Sequence, residues 1–187
     1  MSAERTDLVA ALAARRARSK TTDDAPGRDE LLRLLAAAAN VADHSEYEPW
    51  RVVELRGEAR SGLGAALAEG LGLVGDKASS TARKPLRAPL LLALVVSRRP
   101  SPKVPAWEQE ATAAGVAHNL GLLLDAEGWN AFWRTGLATR TDAVRRFHRL
   151  GDHEDLLGWL YVGGRPDPDR MDKPRKPRRV DGRLTAL

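Results

Sequence analysis

Apolar residues run without a polar interruption from Ala88 to Val96. A continuous Leu/Val run of that length predicts a central strand buried on both faces. Elsewhere the period changes. Leu31, Leu34, Leu35 and Ala38 recur at helical spacing behind Asp29 and Glu30, which predicts a helix opening at those acids. Thr6 to Arg18 reads as an amphipathic helix with Leu8, Val9 and Leu12 on one face and Thr6 as its candidate cap. Trp50 to Leu55 alternates like a strand. Glu58 to Val74 reads as a helix weakened by Gly62, Gly64, Gly70 and Gly72, and a short helix follows from Asp76 to Lys84. Asn130 to Trp133 predicts a strand, Asp142 to Leu150 a short helix, and Leu156 to Val162 a last core strand closed by Gly163-Gly164. Strands separated by helices of unequal number and length give an α+β layout rather than a regular βαβ series.

The longest helix runs from Ala106 to Glu127. Pro105 stands where a missing N–H is tolerated, and Glu108 and Glu110 fall in the first turn, where the dipole favours anions. From Ala111 to Leu124 this helix is apolar on nearly every face, so it belongs inside something larger than one small monomer. The strand after it delivers an aromatic, a guanidinium and a hydroxyl in succession, Trp133-Arg134-Thr135, which suits a flat, anionic, hydrogen-bonding ligand.

At 187 residues and 43% hydrophobic content, the chain has enough apolar side chains for one ordinary domain. Residues 1–168 read as that domain, and 169–187 as a basic Pro/Arg-rich tail without a core pattern, either disordered or wrapped on another subunit. Cysteine is absent, which excludes disulfides, a thiolate nucleophile and a zinc–thiolate site. No apolar run approaches membrane-spanning length and no signal peptide is recognisable, so a cytoplasmic protein without a membrane partner is expected. The net charge of +5 invites a nucleic-acid reading. The basic residues, however, gather in Arg15 to Lys20 and Arg170 to Arg183, and such local clusters suit a phosphorylated small molecule as well as a polyanion.

Most motifs have bland readings. Gly62-Leu63-Gly64 superficially matches a dinucleotide loop, but Leu67 stands where the third glycine belongs. The four histidines, His44, His118, His148 and His153, lack metal-ligand spacing, and no metal site is expected. His118 on the apolar helix reads as a hydrogen-bonded core residue, and Asp152 to Asp155 as a solvated turn before a strand. Arg15-Arg16-Ala17-Arg18 reads as a basic helix end complementing the dipole, or as a phosphate clamp of guanidinium forks. Arg134, leaving a buried strand, needs an anionic partner.

Taken in order, these segments resemble the FMN-dependent nitroreductase family, in its small bacterial NAD(P)H type. Four blocks carry the likeness: Arg15-Arg16-Ala17, the loop from Val41-Ala42-Asp43-His44 to Glu48-Pro49-Trp50-Arg51, Arg87-Ala88-Pro89-Leu90 with Lys103 to Glu110, and Trp133 to Gly136. Leu160 to Gly163 adds a weaker match. The resemblance implies an α+β fold with a central, mostly antiparallel sheet flanked by helices, in an intertwined homodimer with flavin at its interface. It implies that Arg15, Arg16 and the Ala17 backbone hold the FMN phosphate and ribityl end. Trp133, Arg134 and Thr135 would line the same flavin, with Asn40 and His44 reaching in from the partner subunit. Leu123 to Gly128 corresponds to a segment associated with nicotinamide nucleotide, and Lys173 and Arg175 to a further phosphate contact.

The implied activity is passage of hydride from NAD(P)H as co-substrate, through flavin N5, to a small-molecule electron acceptor such as a nitroaromatic or quinone. The flavin carries the chemistry, so no catalytic side chain is required. Three positions depart from the family pattern. Ala17 replaces a serine and removes a donor worth about 1 kcal/mol; Ala42 replaces a proline; Glu48 replaces Gln or Asn, and either repels a reduced flavin or pairs with Arg51 or Arg134. Two other readings are a family-fold binding or sequestering module with weakened flavin affinity, and a nucleic-acid-binding protein using the basic tail.

Overall fold

The structure is a computed structural model in which residues 8–167 and 179–186 are described. Its elements are α1 (Leu8–Ala14), α2 (Arg28–Ala38), β1 (Trp50–Leu55), α3 (Glu58–Gly70), α4 (Gly75–Ala82), β2 (Leu90–Ser97), α5 (Ala106–Ala126), β3 (Asn130–Arg134), α6 (Asp142–Phe147) and β4 (Glu154–Gly163). Short 3-10 turns at Lys84–Arg87 and Leu137–Arg140 join them. The strands make one antiparallel sheet in the order β1-β2-β4-β3. The unbroken apolar run is β2, an inner strand. Leu90, Leu92 and Leu94 pack on one face with α2 and α5, and Leu91, Ala93 and Val95 on the other with α3 and α6. Each fully buried leucine is worth about 2 kcal/mol, so β2 is the strand on which both helical layers assemble.

Several boundaries move for identifiable reasons. α1 ends at Ala14 instead of Arg18, because Arg16 Nη1 folds back onto the carbonyls of Ala13, Ala14 and Arg15 at 2.8, 2.7 and 3.1 Å. A side chain thus satisfies the acceptors that a longer helix would have used. The candidate cap Thr6 lies outside the described residues. In α3, Gly64 does more than weaken a helix: a Cβ there would stand 2.1 Å from the Ala82 carbonyl oxygen. The missing side chain lets the end of α4 pass against α3.

α5 follows Pro105 as expected, but the described residues do not enclose it. Val116, Ala117, Leu120 and Leu124 face the sheet, whereas Trp107, Ala111 and His118 are exposed. Leu8, Val9 and Leu12 of α1 are exposed as well. Among the described residues, no helix is long and apolar enough to cross a membrane, and no three His, Cys, Asp or Glu side chains gather to hold a metal.

Asp152 and His153 form the expected exposed turn, but Glu154 and Asp155 already belong to β4 and are not solvated. Glu154 opens β4 with 6% exposure and is chelated by Arg51, Nε to Oε1 at 2.6 Å and Nη2 to Oε2 at 2.7 Å. Ser97 Oγ and the Gly151 N–H also donate to it. The Arg51 hydrogen bond is the main cause that holds the Glu154 carboxyl down at about 2. Asp155 beside it is bound by Arg98, Arg140 and Arg145. Beneath them His148 is buried, its Nε2 accepting from Trp159 Nε1 at 3.0 Å. Burial, with the Arg51 charge adding, pushes His148 down to about 4.

Both groups bind protons more readily in the unfolded chain, so each loses its contribution as the pH falls. The His148 contribution is full above its ordinary 6.5 and disappears towards 4; that of Glu154 is full above 4.5 and disappears towards 2. Denaturant titrations across this range are expected to show stability falling in two overlapping steps. His148→Gln should flatten the upper step. Glu154→Gln should remove the lower step and cost about 3 kcal/mol at neutral pH, because the Arg51 charge loses its partner.

Candidate functional site

Side chains at the end of β3 alternate across the sheet. Ala131 and Trp133 join the α5 layer, whereas Phe132 packs with the α3 layer. Arg134 lies over Phe132 and Tyr161, 5.4 and 5.5 Å from their ring centres. Trp133, Arg134 and Thr135 therefore do not present their side chains to one side, as period-two geometry requires.

On the α5 face, Trp133 meets His118 edge-on at 4.9 Å between ring centres. His118 is exposed, which corrects its reading as a core histidine. These rings, with Arg15, Ala17 and Gly121, line a cavity of about 210 Å³. The segment carrying Arg15 is fastened to the end of α5: Arg18 reaches Asp125 Oδ1 at 2.9 Å, and Arg165 reaches the Asp125 carbonyl at 2.6 Å. Arg16 is spent on the α1 carbonyls, while the Arg15 guanidinium has no hydrogen-bond or ion-pair partner among the described residues. Trp133 Nε1 is buried and likewise unpartnered among them. An unpaired guanidinium, two small residues and an aromatic wall suit a phosphorylated planar ligand. The volume is below the roughly 300–1,000 Å³ usual for such ligands.

On the other face, Arg134, Thr135 and Gly136 border a cavity of about 340 Å³ together with Thr81, Lys84, Leu137 and Tyr161. Lys84 Nζ donates to Thr81 Oγ1 at 3.2 Å. Burial pushes the Tyr161 hydroxyl up, and the Arg134 charge acts against it. Lys84 and Thr81 carry no sequence signal of their own; a 3-10 turn brings them beside the β3 end. Thr135, just past the strand terminus, lines this cavity and not the one on the α5 side.

The remaining candidates lie at the other end of α5. Asn40 is exposed and caps α2, its Nδ2 donating to the carbonyls of Ala36 and Ala37. His44 lines a cavity of about 410 Å³ with Val41, Ala42, Trp107, Glu108, Ala111, Thr112 and Gly115. Its loop is strained, with positive φ at the non-glycine residues Ser45, Glu46 and Glu48. Glu48 is exposed and pairs with neither expected arginine: Arg51 is taken by Glu154, and Arg134 by its aromatic neighbours. In the Leu123 to Gly128 segment, Asp125 is already occupied by Arg18 and Arg165. Lys173 and Arg175 lie outside the described residues.

A four-stranded antiparallel sheet between helical layers, with shallow grooves beside a partly exposed apolar helix, defines an α+β protein. The chain belongs to the nitroreductase family, whose model (Nitroreductase family) matches residues 12–164. The protein of Escherichia coli (strain K12) named "Putative NAD(P)H nitroreductase YdjA" is 32% identical over 160 residues, which cover 84% of this chain and 87% of that one. Among solved structures, a nitroreductase-like family protein from Bacillus cereus superposes with a TM-score of 0.85 at 19% identity, covering 100% of this chain and 99% of that one. A nitroreductase with bound FMN from Bacteroides fragilis NCTC 9343 superposes at 0.74 with 17% identity, covering 98% and 100%. The nitroreductase-like α+β fold is thus established.

The site geometry depends on Gly158 in β4. Its φ is +143°, and a Cβ there would lie 2.3 Å from the Arg134 carbonyl oxygen and 2.6 Å from Trp133 Nε1. Gly158→Ala is expected to destabilise the fold by about 3 kcal/mol in denaturant titrations and to shift the tryptophan emission, because both β3 residues must move.

Proposed function

We propose that the protein is an FMN-dependent NAD(P)H oxidoreductase that works as a homodimer on an electron-poor acceptor, a nitroaromatic or a quinone. The observation that carries this reading is the Arg15 guanidinium, without a partner among the described residues, lining the same cavity as Trp133 in the α5 groove. Its support from relatives is the FMN held by the Bacteroides fragilis protein and the NAD(P)H nitroreductase name of the Escherichia coli one.

In this reading Arg15 binds the phosphate, and Arg16 shapes the turn that presents Arg15 and the Ala17 N–H. Ala17 offers no hydroxyl, so the phosphate rests on charge and backbone donors. Trp133 walls the groove on the α5 side. Thr135 and Gly136 follow the end of β3, and their backbone N–H groups orient the ring. Arg134 and Lys84, on the far face, supply positive charge that stabilises an anionic reduced ring. When bound, FMN supplies the hydride chemistry, accepting from NAD(P)H at N5 and donating to the acceptor.

The second subunit follows from the same helix. A two-fold contact along the exposed face of α5 sets the Trp107 end of one copy against the His118 end of the other. It brings Asn40 and His44 of each copy towards the other's flavin and covers the apolar face of α1. Each site is completed by its partner.

The visible absorption spectrum of purified protein, before and after adding FMN and desalting, tests this reading. A retained flavin spectrum that bleaches with NAD(P)H is expected; a colourless protein after desalting would refute it. Arg15→Ala is expected to weaken FMN binding about 10- to 100-fold, the effect of one charge-assisted phosphate contact, measured by quenching of flavin fluorescence.

A further inference from the structure

His44 and Glu108 form an ion pair at the 410 Å³ cavity, with Nδ1 and Oε2 at 3.1 Å. Neither side chain has another hydrogen-bond or ion-pair partner among the described residues. A carboxylate can only accept, so Nδ1 carries the hydrogen and Nε2 is the atom left for a ligand.

The loop that delivers His44 is held in place at a cost. Ser45, Glu46 and Glu48 adopt φ of 64°, 51° and 44°, each a left-handed conformation costing about 1 kcal/mol for a residue with a Cβ. Asp43 closes the loop, its Oδ2 accepting from the Glu48 N–H at 2.7 Å and its carbonyl from the Glu46 N–H at 3.2 Å. Thr112 Oγ1 fastens it to α5 through the Ala42 carbonyl at 3.1 Å. Trp107, 68% exposed, gives the same cavity a flat electron-rich wall. An indole face beside an imidazole suits an electron-poor ring that carries oxygen atoms.

We propose that His44 donates the proton that completes reduction of the electron acceptor, with Glu108 as its positioning residue. This rests on the oxidoreductase reading. With a quinone, the hydride from NAD(P)H brings two electrons and one hydrogen, leaving a hydroquinone monoanion. The Nε2–H bond of the His44 imidazolium then breaks, and its proton forms the O–H bond on the anionic oxygen. Neutral His44 regains a proton from water. The sum is quinone, NAD(P)H and one proton giving hydroquinone and NAD(P)⁺. Glu108 accepts the Nδ1–H and so fixes the ring with Nε2 towards the acceptor.

The test uses the full chain loaded with FMN, reduced by NAD(P)H and mixed with either a quinone or ferricyanide, a one-electron acceptor that takes up no proton. His44→Gln and Glu108→Leu are each expected to lower the quinone-to-ferricyanide rate ratio about 100-fold, the usual share of a general acid. Glu108→Asp should recover most of it, and the double variant should be no slower than either single one. Nitrogen-15 shifts of His44 in flavin-free protein should report the Nδ1–H tautomer in the neutral ring, lost in Glu108→Leu. A rate ratio unchanged in both single variants overturns the proposal, as does a His44 tautomer indifferent to Glu108→Leu. Such a result with FMN retained and bleached by NAD(P)H leaves the oxidoreductase reading standing. A chain that binds no FMN overturns that reading and the proposal together.

Discussion

Strand β2 has no side that can face water, and the rest of the molecule is arranged around that constraint. Its odd and even residues are equally apolar, so helices must cover both faces. α2 and α5 supply one layer, α3 and α6 the other. β4 takes one side of β2 and β1 the other, which leaves β3 at the edge beside β4. An edge strand that ends among loops has open space on either face, and the candidate grooves lie there.

Period-two alternation then divides the chemistry. Trp133 goes with Arg15 and Ala17, while Arg134 goes with Lys84 and Tyr161. The α5 cavity is small, and the helix surface beside it is exposed at Ala111 and His118.

Charge is treated differently at the two ends of the sheet. Where β2 and β4 begin and end, Arg51, Arg98, Arg140 and Arg145 are absorbed by Glu154 and Asp155. That network holds three strand termini and α6 together and leaves little charge for a ligand. At the grooves the reverse holds: among the described residues Arg15 has no ion-pair partner and His44 keeps one ring nitrogen uncommitted. Strain follows the same division, with left-handed non-glycine residues concentrated just after His44. Stability and ligand chemistry thus draw on different parts of one basic chain.

Hydrophobic periodicity alone determined the class of the protein and nearly all its elements. The Ala88 to Val96 run, the helical spacing after Asp29 and the long apolar stretch after Pro105 each lead to one local structure, since burial acts on residues near in sequence. The ordered blocks from Arg15 to Gly136 likewise pointed to the family. Tertiary structure decided what depends on distant partners. It capped α1 with Arg16 and exposed His118. It joined Glu154 to Arg51 across the intervening β2 strand, brought Lys84 to Arg134, and set His44 against Glu108. Those pairings depend on which strand neighbours which and on the face each side chain takes, and the local pattern encodes neither.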